Sequence, residues 1–301
     1  MSKQYHFSEL VYNENGARPI RWSVNAIGCD WPTLELATAF PMVDGSPDSV
    51  AQLGYSQLHK NRDTRFYATI AYNGSDYGIK DLVILGTYMW TYHKQNVIDF
   101  EGLLWSNTSF YRNKAIDKTI DFSNTYNAPV DWIEIRFAEV LMNYGEAANE
   151  IGNTSEVLQV LYQIRQRAGI LPGPDNRYGI TANSQSEIRN AYSNERFIEF
   201  AFENKRFWDL RRLRKYDLLN QQQYRHGLYI TLKDGFNTPI NKEDINQIYN
   251  EFNYDVKEID PQPISWKDNY YFFAIPKRYL DRNSKLAQTK GWDNGDFDPL
   301  Q

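Results

Sequence analysis

Between Trp132 and Tyr216, acidic and basic side chains recur at regular offsets: Arg136, Glu139, Glu146, Arg165, Glu195, Arg196, Glu199, Glu203, Arg206, Asp209 and Arg211. Two carboxylates, one protonated and one ionised, are the apparatus of a glycosidase. The spacing points elsewhere. Glu195 and Glu199 lie one helical turn apart, as do Glu199 and Glu203, and arginines of a neighbouring helix can satisfy them as fork-like ion pairs. His6, His59, His93 and His226 lack any metal-ligand spacing. No G-x-S-x-G, Walker A or dinucleotide fingerprint occurs. Asp293-Asn294-Gly295-Asp296 reads as a solvated tail rather than a calcium loop. Neither metal nor cofactor is expected. The compositional outlier is aromatic: 8 Trp, 22 Tyr and 16 Phe. Most of these rings must build the core. Those left outside offer flat apolar faces of the kind that stack on sugar rings.

The elements that position these groups are helical. The first strong helix starts near Asp131 as N-cap. Its apolar stripe is Ile133, Phe137, Val140, Leu141, Tyr144, Ala148 and Ile151. Gly152 ends it. Thr154 or Ser155 caps the second helix, whose stripe is Val157, Leu161, Ile164 and Ala168, closed by Gly169. So short a turn makes the pair antiparallel. A second pair is predicted over 186–216, with Ser186 as cap, Ile188, Tyr192, Ile198, Ala201 and Phe202 inward, and a break at Asn204. The two pairs are expected to pack together.

Before them, residues 1–46 look irregular, with turns at Asn13-Glu14-Asn15-Gly16 and Asp44-Gly45. A helix is predicted from Pro47 to His59. Arg65 to Tyr72 alternates as a strand and stops at the Asn73-Gly74 turn. Residues 76–127 read as loop with short strands, and 217–270 as loops with short helical pieces. Tyr271 to Pro276 is a short extended run.

With 301 residues the chain can bury a substantial core. Its net charge of −5 and pI near 5.5 give no footprint for nucleic acid. No apolar run of bilayer length occurs. The start, Met1-Ser2-Lys3-Gln4-Tyr5, is not a secretory leader. The lone cysteine, Cys29, excludes an internal disulfide and reads as a small buried thiol.

Short motifs in one order resemble the SusD/RagB family of outer-membrane nutrient-binding lipoproteins of Bacteroidetes. Ala39-Phe40-Pro41 with Asp44-Gly45 is similar to its aromatic-proline-x-x-Asp-Gly segment. Asn61-Arg62-Asp63-Thr64-Arg65-Phe66 resembles its Arg-Asp-Pro-Arg box, with Thr64 at the usual proline. Tyr111-Arg112-Asn113-Lys114 looks like its Tyr-x-x-Lys stretch. Arg136 to Leu141 with Glu146-Ala147, Ile164 to Gly169, and Glu195 to Arg212 are similar to its helical hairpins. Phe273-Ala274-Ile275-Pro276, Asn283 and Gln288 to Trp292 resemble its C-terminal signature, with Ala274 where proline is usual.

The resemblance implies a mainly α fold: tetratricopeptide-like helical hairpins with irregular loops and a few short strands. It implies a single domain over 1–301, in which 1–130 is the loop-rich ligand region, 131–216 the hairpin core and 217–301 a C-terminal wrap. Members are typically longer, so the chain reads as the C-terminal portion of such a protein. The implied role is non-catalytic capture of a nutrient, usually a glycan, for a SusC-like TonB-dependent transporter. The implied place is the outer-membrane surface, through a lipid anchor that this chain does not carry. Ligand contacts in the family come largely from loops outside the repeats, which singles out Trp31, Tyr72, Tyr77, Trp90 and Tyr92 here. A tetratricopeptide-like scaffold for proteins, and an α-helical glycoside hydrolase, stay open as alternatives.

Overall fold

The computed structural model describes residues 2–3, 14–19, 28, 30–48, 50–79, 87–93, 106–121, 123–125, 128, 130–236 and 245–300. Cys29, His6, Asn13 and Trp105 lie outside the described residues. The helices are α1 (Leu34–Ala39), α2 (Val50–Leu53), α3 (Thr64–Thr69), α4 (Phe137–Glu150), α5 (Thr154–Arg167), α6 (Gln185–Glu199), α7 (Arg206–Arg212), α8 (Asp217–Gln222), α9 (Ile245–Ile248) and α10 (Lys277–Leu280). The strands are β1 (Ser2–Lys3), β2 (Ile70–Tyr72), β3 (Ser75–Asp76), β4 (Tyr88–Met89), β5 (Phe110–Arg112), β6 (Trp132–Ile133), β7 (His226–Leu232) and β8 (Phe252–Glu258). They pair antiparallel as β1–β6, β2–β5, β3–β4 and β7–β8. The fold is mainly α with short two-stranded sheets. The chain divides into two compact units: Met1–Arg206 with Arg225–Ile259, and Phe207–Tyr224 with Asp260–Gln301.

The first unit is built on α4, α5 and α6. Gly152, at φ +81°, closes α4, and Asn153 N–H reaches back to the Ala148 carbonyl at 2.9 Å. Gly169, at φ +77°, closes α5 in the same way, with Ile170 N–H on the Arg165 carbonyl at 3.1 Å. These are the left-handed C-terminal stops that glycine permits. Ser184, not Ser186, caps α6 through a reciprocal box with Glu187. Val157, Leu161, Ile164 and Ala168 are all buried, as their spacing predicts, and the first three meet Met142, Ile188 and Tyr192. A second core joins Phe40, Phe66, Ile70, Trp90, Phe110, Leu228, Ile230 and Phe252 with Ile198 and Ala201 of the α6 end.

Several elements differ from the sequence reading. Arg65 to Thr69 is helical, not extended, because the Asp63 carboxylate accepts the Arg65 N–H at 2.8 Å and caps α3. Only Ile70 to Tyr72 is strand. The helix expected from Pro47 to His59 is broken by Gly54, at φ +76°, into α2 and a 3-10 turn at Tyr55–Gln57. Asp131 caps nothing; it precedes β6, and α4 starts at Phe137 behind Arg136. Most of the expected α4 stripe faces outward: Ile133 is 51% exposed, Phe137 73%, Val140 53%, Tyr144 52% and Ile151 83%. The buried face is Ala138, Met142, Gly145, Ala148 and Asn149. Small residues win there because α4 approaches α6 closely: a Cβ on Gly145 would meet the Tyr192 hydroxyl. The second expected hairpin is divided, since α6 belongs to the first unit and α7, from Phe207, to the second. Residues 226–258, read as loop and short helix, hold the longest ladder, β7–β8, in register from His226↔Glu258 to Leu232↔Phe252. Tyr271 ends a 3-10 turn, and the run to Pro276 forms no strand.

The second unit is centred on Tyr216, whose ring stacks on Trp266 at 3.5 Å and whose N–H donates to the Tyr271 hydroxyl at 3.0 Å. The Trp292 indole N–H donates to the carbonyls of Phe272 and Asn269, at 2.9 and 3.1 Å.

Candidate ligand-binding site

The charged residues of the helices form one buried network. Arg65 donates to Asp63 at 2.5 Å, to Glu195 at 2.8 Å and to Glu199 at 2.9 Å. Arg165 reaches Glu195 at 2.8 Å from α5. Arg136 and Arg167 reach Glu199 at 2.7 and 2.5 Å. Glu203 takes Lys114 at 2.5 Å and Arg136 at 2.7 Å. Burial pushes the Glu195 and Glu199 carboxyls up, but the surrounding arginines outweigh it and hold both below the usual range. Burial likewise lowers Lys114, with Glu203 opposing. Both glutamates are therefore ionised at neutral pH and paired with arginines. Neither is the protonated acid that a glycosidase needs. Their chemistry is to lock α3, α5 and α6 and the approach to α4.

Above this network opens a cavity of about 320 Å³, at the small end of the range for small-molecule sites. Its apolar walls are Ala68, Ala115, Val130, Trp132, Ile133, Ile198 and Phe202. Its polar rim is Lys114, Asp131, Arg136, Arg167 and Glu203. Trp132 is half-buried and held by β6, where it pairs with Lys3. Arg136 lies over the Phe200 ring at 4.8 Å, which fixes its guanidinium between ring and carboxylates. Arg167 keeps 54% of its side chain exposed while it pairs with Glu199. The arrangement joins one indole face to carboxylate and guanidinium groups, the pairing that a hydroxylated ring requires.

The five aromatic residues singled out from sequence do not gather on one surface. Tyr77 is 0% exposed, Trp90 5% and Tyr92 3%. Trp90 and Tyr92 pack on Phe252 at 6.3 and 5.0 Å in the main core. Tyr77 sits in a smaller cluster with Met89 and Tyr111, where burial raises its hydroxyl pKa. These three present no face to a ligand, because the loops carrying them fold into the core. Trp31 is half-buried against the same small cluster. Tyr72 is half-buried, stacked on His59 at 5.2 Å. None of the five lines the 320 Å³ cavity. Trp132, which does, falls at the start of the helix that the sequence predicts from Asp131. The alternation of Ile133 and Ile135 with Glu134 and Arg136 is the period-2 signal that marks its extended approach.

Known proteins share both the sequence pattern and this architecture. The profile of the SusD family matches residues 3–292. A SusD-like protein of Formosa agariphila is 37% identical over 94 residues, which is 31% of this chain and 19% of that protein. A SusD-like protein of Bacteroides fragilis, 26% identical, has a crystal structure that matches 97% of this chain and 53% of its own with a TM-score of 0.71. A second from Bacteroides fragilis, a SusD-like carbohydrate binding protein, is 22% identical with a TM-score of 0.65 over 94% of this chain and 53% of that one, a likeness of fold alone. The chain spans about half the length of these solved relatives. With the profile running through the network, the cavity wall and the C-terminal segments alike, the chain belongs to the SusD family.

Proposed function

We propose that the protein is a non-catalytic nutrient-binding component of the bacterial outer surface, and that its ligand is an oligosaccharide. The family match from residue 3 to residue 292 carries the reading. In this reading it captures the glycan at the cell surface and delivers it to a SusC-like TonB-dependent transporter in the outer membrane. The cavity beside Trp132 is the site: one pyranose face lies on the indole, and its hydroxyls bond Asp131, Arg136 and Arg167. Glu195 and Glu199 below it are ionised and paired with arginines, and in this reading the sugar is held and not cut.

Affinity electrophoresis through gels cast with different polysaccharides tests this, with analysis of each polysaccharide for shorter products. Retardation on at least one gel, with chain length unchanged and retardation reduced in Trp132→Ala, is the expected result. No retardation on any gel, or the appearance of shorter products, would overturn it.

A further inference from the structure

The second unit carries a groove unlike the cavity of the first. About 610 Å³ in volume, it is lined by three arginines, Arg211, Arg212 and Arg214, and among the described residues by no carboxylate side chain. Its remaining wall is aromatic and apolar, with Trp208 56% exposed and Phe273 64% exposed. Asp209, outside the lining, holds Arg212 at 2.8 Å. Arg214 lies toward the rings of Tyr271 and Phe272, at 5.9 and 5.7 Å.

Arg211 differs from both. Its guanidinium lies 3.8 Å over the Phe273 ring, with Phe207 5.8 Å away on its own helix. Its Nη1 is buried and meets no hydrogen-bond acceptor among the described residues. A guanidinium seated over a ring, with one donor nitrogen unsatisfied, suits a planar anion. Large exposed rings beside it supply faces for an apolar or ring-shaped body.

We propose that this groove is a binding site for acidic oligosaccharides, in which a hexuronate carboxylate takes the Arg211 guanidinium and the sugar rings lie on Trp208 and the open side of Phe273. A saccharide fits better than an acidic peptide. Among the described residues the lining offers no Asp, Glu, Asn or Gln side chain to accept peptide N–H groups. Sugar hydroxyls accept from guanidinium as readily as they donate. The site is independent of the cavity at Trp132.

Calorimetric titration of the full chain with trigalacturonate, and with its methyl ester as the uncharged counterpart, tests the proposal. The acid is expected to bind about tenfold or more tightly than the ester, since each lost charge-assisted bond costs at least that factor. Arg211→Gln is expected to remove the preference for the acid, Phe273→Ala to weaken binding of both, and Trp132→Ala to change neither. Arg211→Lys, which keeps charge and stem without the fork, is expected to fall between parent and Arg211→Gln. Equal affinity for acid and ester, no binding of either at millimolar concentration, or unchanged binding in a folded Arg211→Gln would overturn the proposal. Tighter binding of triglutamate than of trigalacturonate would assign the groove to peptide instead and overturn it equally.

Discussion

Glu195 has no exposed surface and lies 2.8 Å from both Arg65 and Arg165. Removing its charge leaves two guanidiniums buried against a neutral partner. Glu195→Gln is therefore expected to cost about 3–5 kcal/mol, the penalty of breaking a buried pair from one side. Arg189 and Glu150 form a shorter pair at 2.6 Å, but their side chains are 43% and 47% exposed. Arg189→Gln is expected to cost far less, because water already screens this pair. Urea denaturation compares the two; equal losses would show that the network is no more than surface charge. Histidine sets the response to mild acid. Burial, with Lys60 and Arg62 nearby, lowers His59 to about 4, and burial with Lys257 does the same for His93. The unfolded chain keeps both near the ordinary value of about 6.5. Between those values the unfolded state binds more protons, so stability falls as pH drops through that window. The buried glutamates, with lowered pKa, add their loss only below the ordinary glutamate range. The melting temperature should thus decline already from pH 7 to pH 5. A flat profile over that interval would contradict the burial of the two rings.

At the scale of elements, α5 was legible in the sequence because everything about it agrees. Its apolar spacing, its first-turn Glu156, its last-turn arginines and Gly169 all favour one helix and one face. α4 was legible as a helix but not as a surface. It carries two stripes, one of large residues through Phe137, Val140 and Tyr144 and one of small residues through Ala138, Gly145 and Ala148. Hydrophobicity selects the large stripe; the close approach to α6 selects the small one. Gly145→Ala separates these forces. On a free helix it should stabilise by about 1 kcal/mol. Against the Tyr192 hydroxyl it is expected to destabilise by about 1–3 kcal/mol, as overpacking does. Leu161→Ala, at 0% exposure, should cost about 2–5 kcal/mol, while Phe137→Ala, at 73%, should cost little. A larger loss for Phe137→Ala than for Leu161→Ala, measured by thermal melting, would reverse the assigned face. β7 and β8 escaped notice because their ladder joins strands across an intervening segment, and pairing over that distance leaves no local signature. The candidate cavity escaped for the same reason. Its wall draws on α3, β6, α6 and the segments at 114–115, 130–131 and 202–203, which no spacing in the sequence links.

For the molecule as a whole, the outward stripe of α4 is an apolar face with Phe137, Val140, Tyr144 and Ile151 each more than half exposed. Contiguous apolar surface of this kind promotes association. Sedimentation velocity is expected to show concentration-dependent association that the double substitution Phe137→Lys, Val140→Lys abolishes; a parent that stays monomeric up to high concentration would refute this. The central claim is that a SusD-family chain binds an oligosaccharide in the cavity beside Trp132 without cutting it. The most direct measurement is a calorimetric titration of the polysaccharide-derived oligosaccharide selected by affinity electrophoresis against the parent chain and Trp132→Ala. By analogy with base stacking on aromatic side chains, worth about 1–3 kcal/mol per contact, the variant is predicted to bind about fivefold to a hundredfold more weakly, with its melting temperature unchanged. A Trp132→Ala protein that stays folded and binds as tightly as the parent would contradict the account.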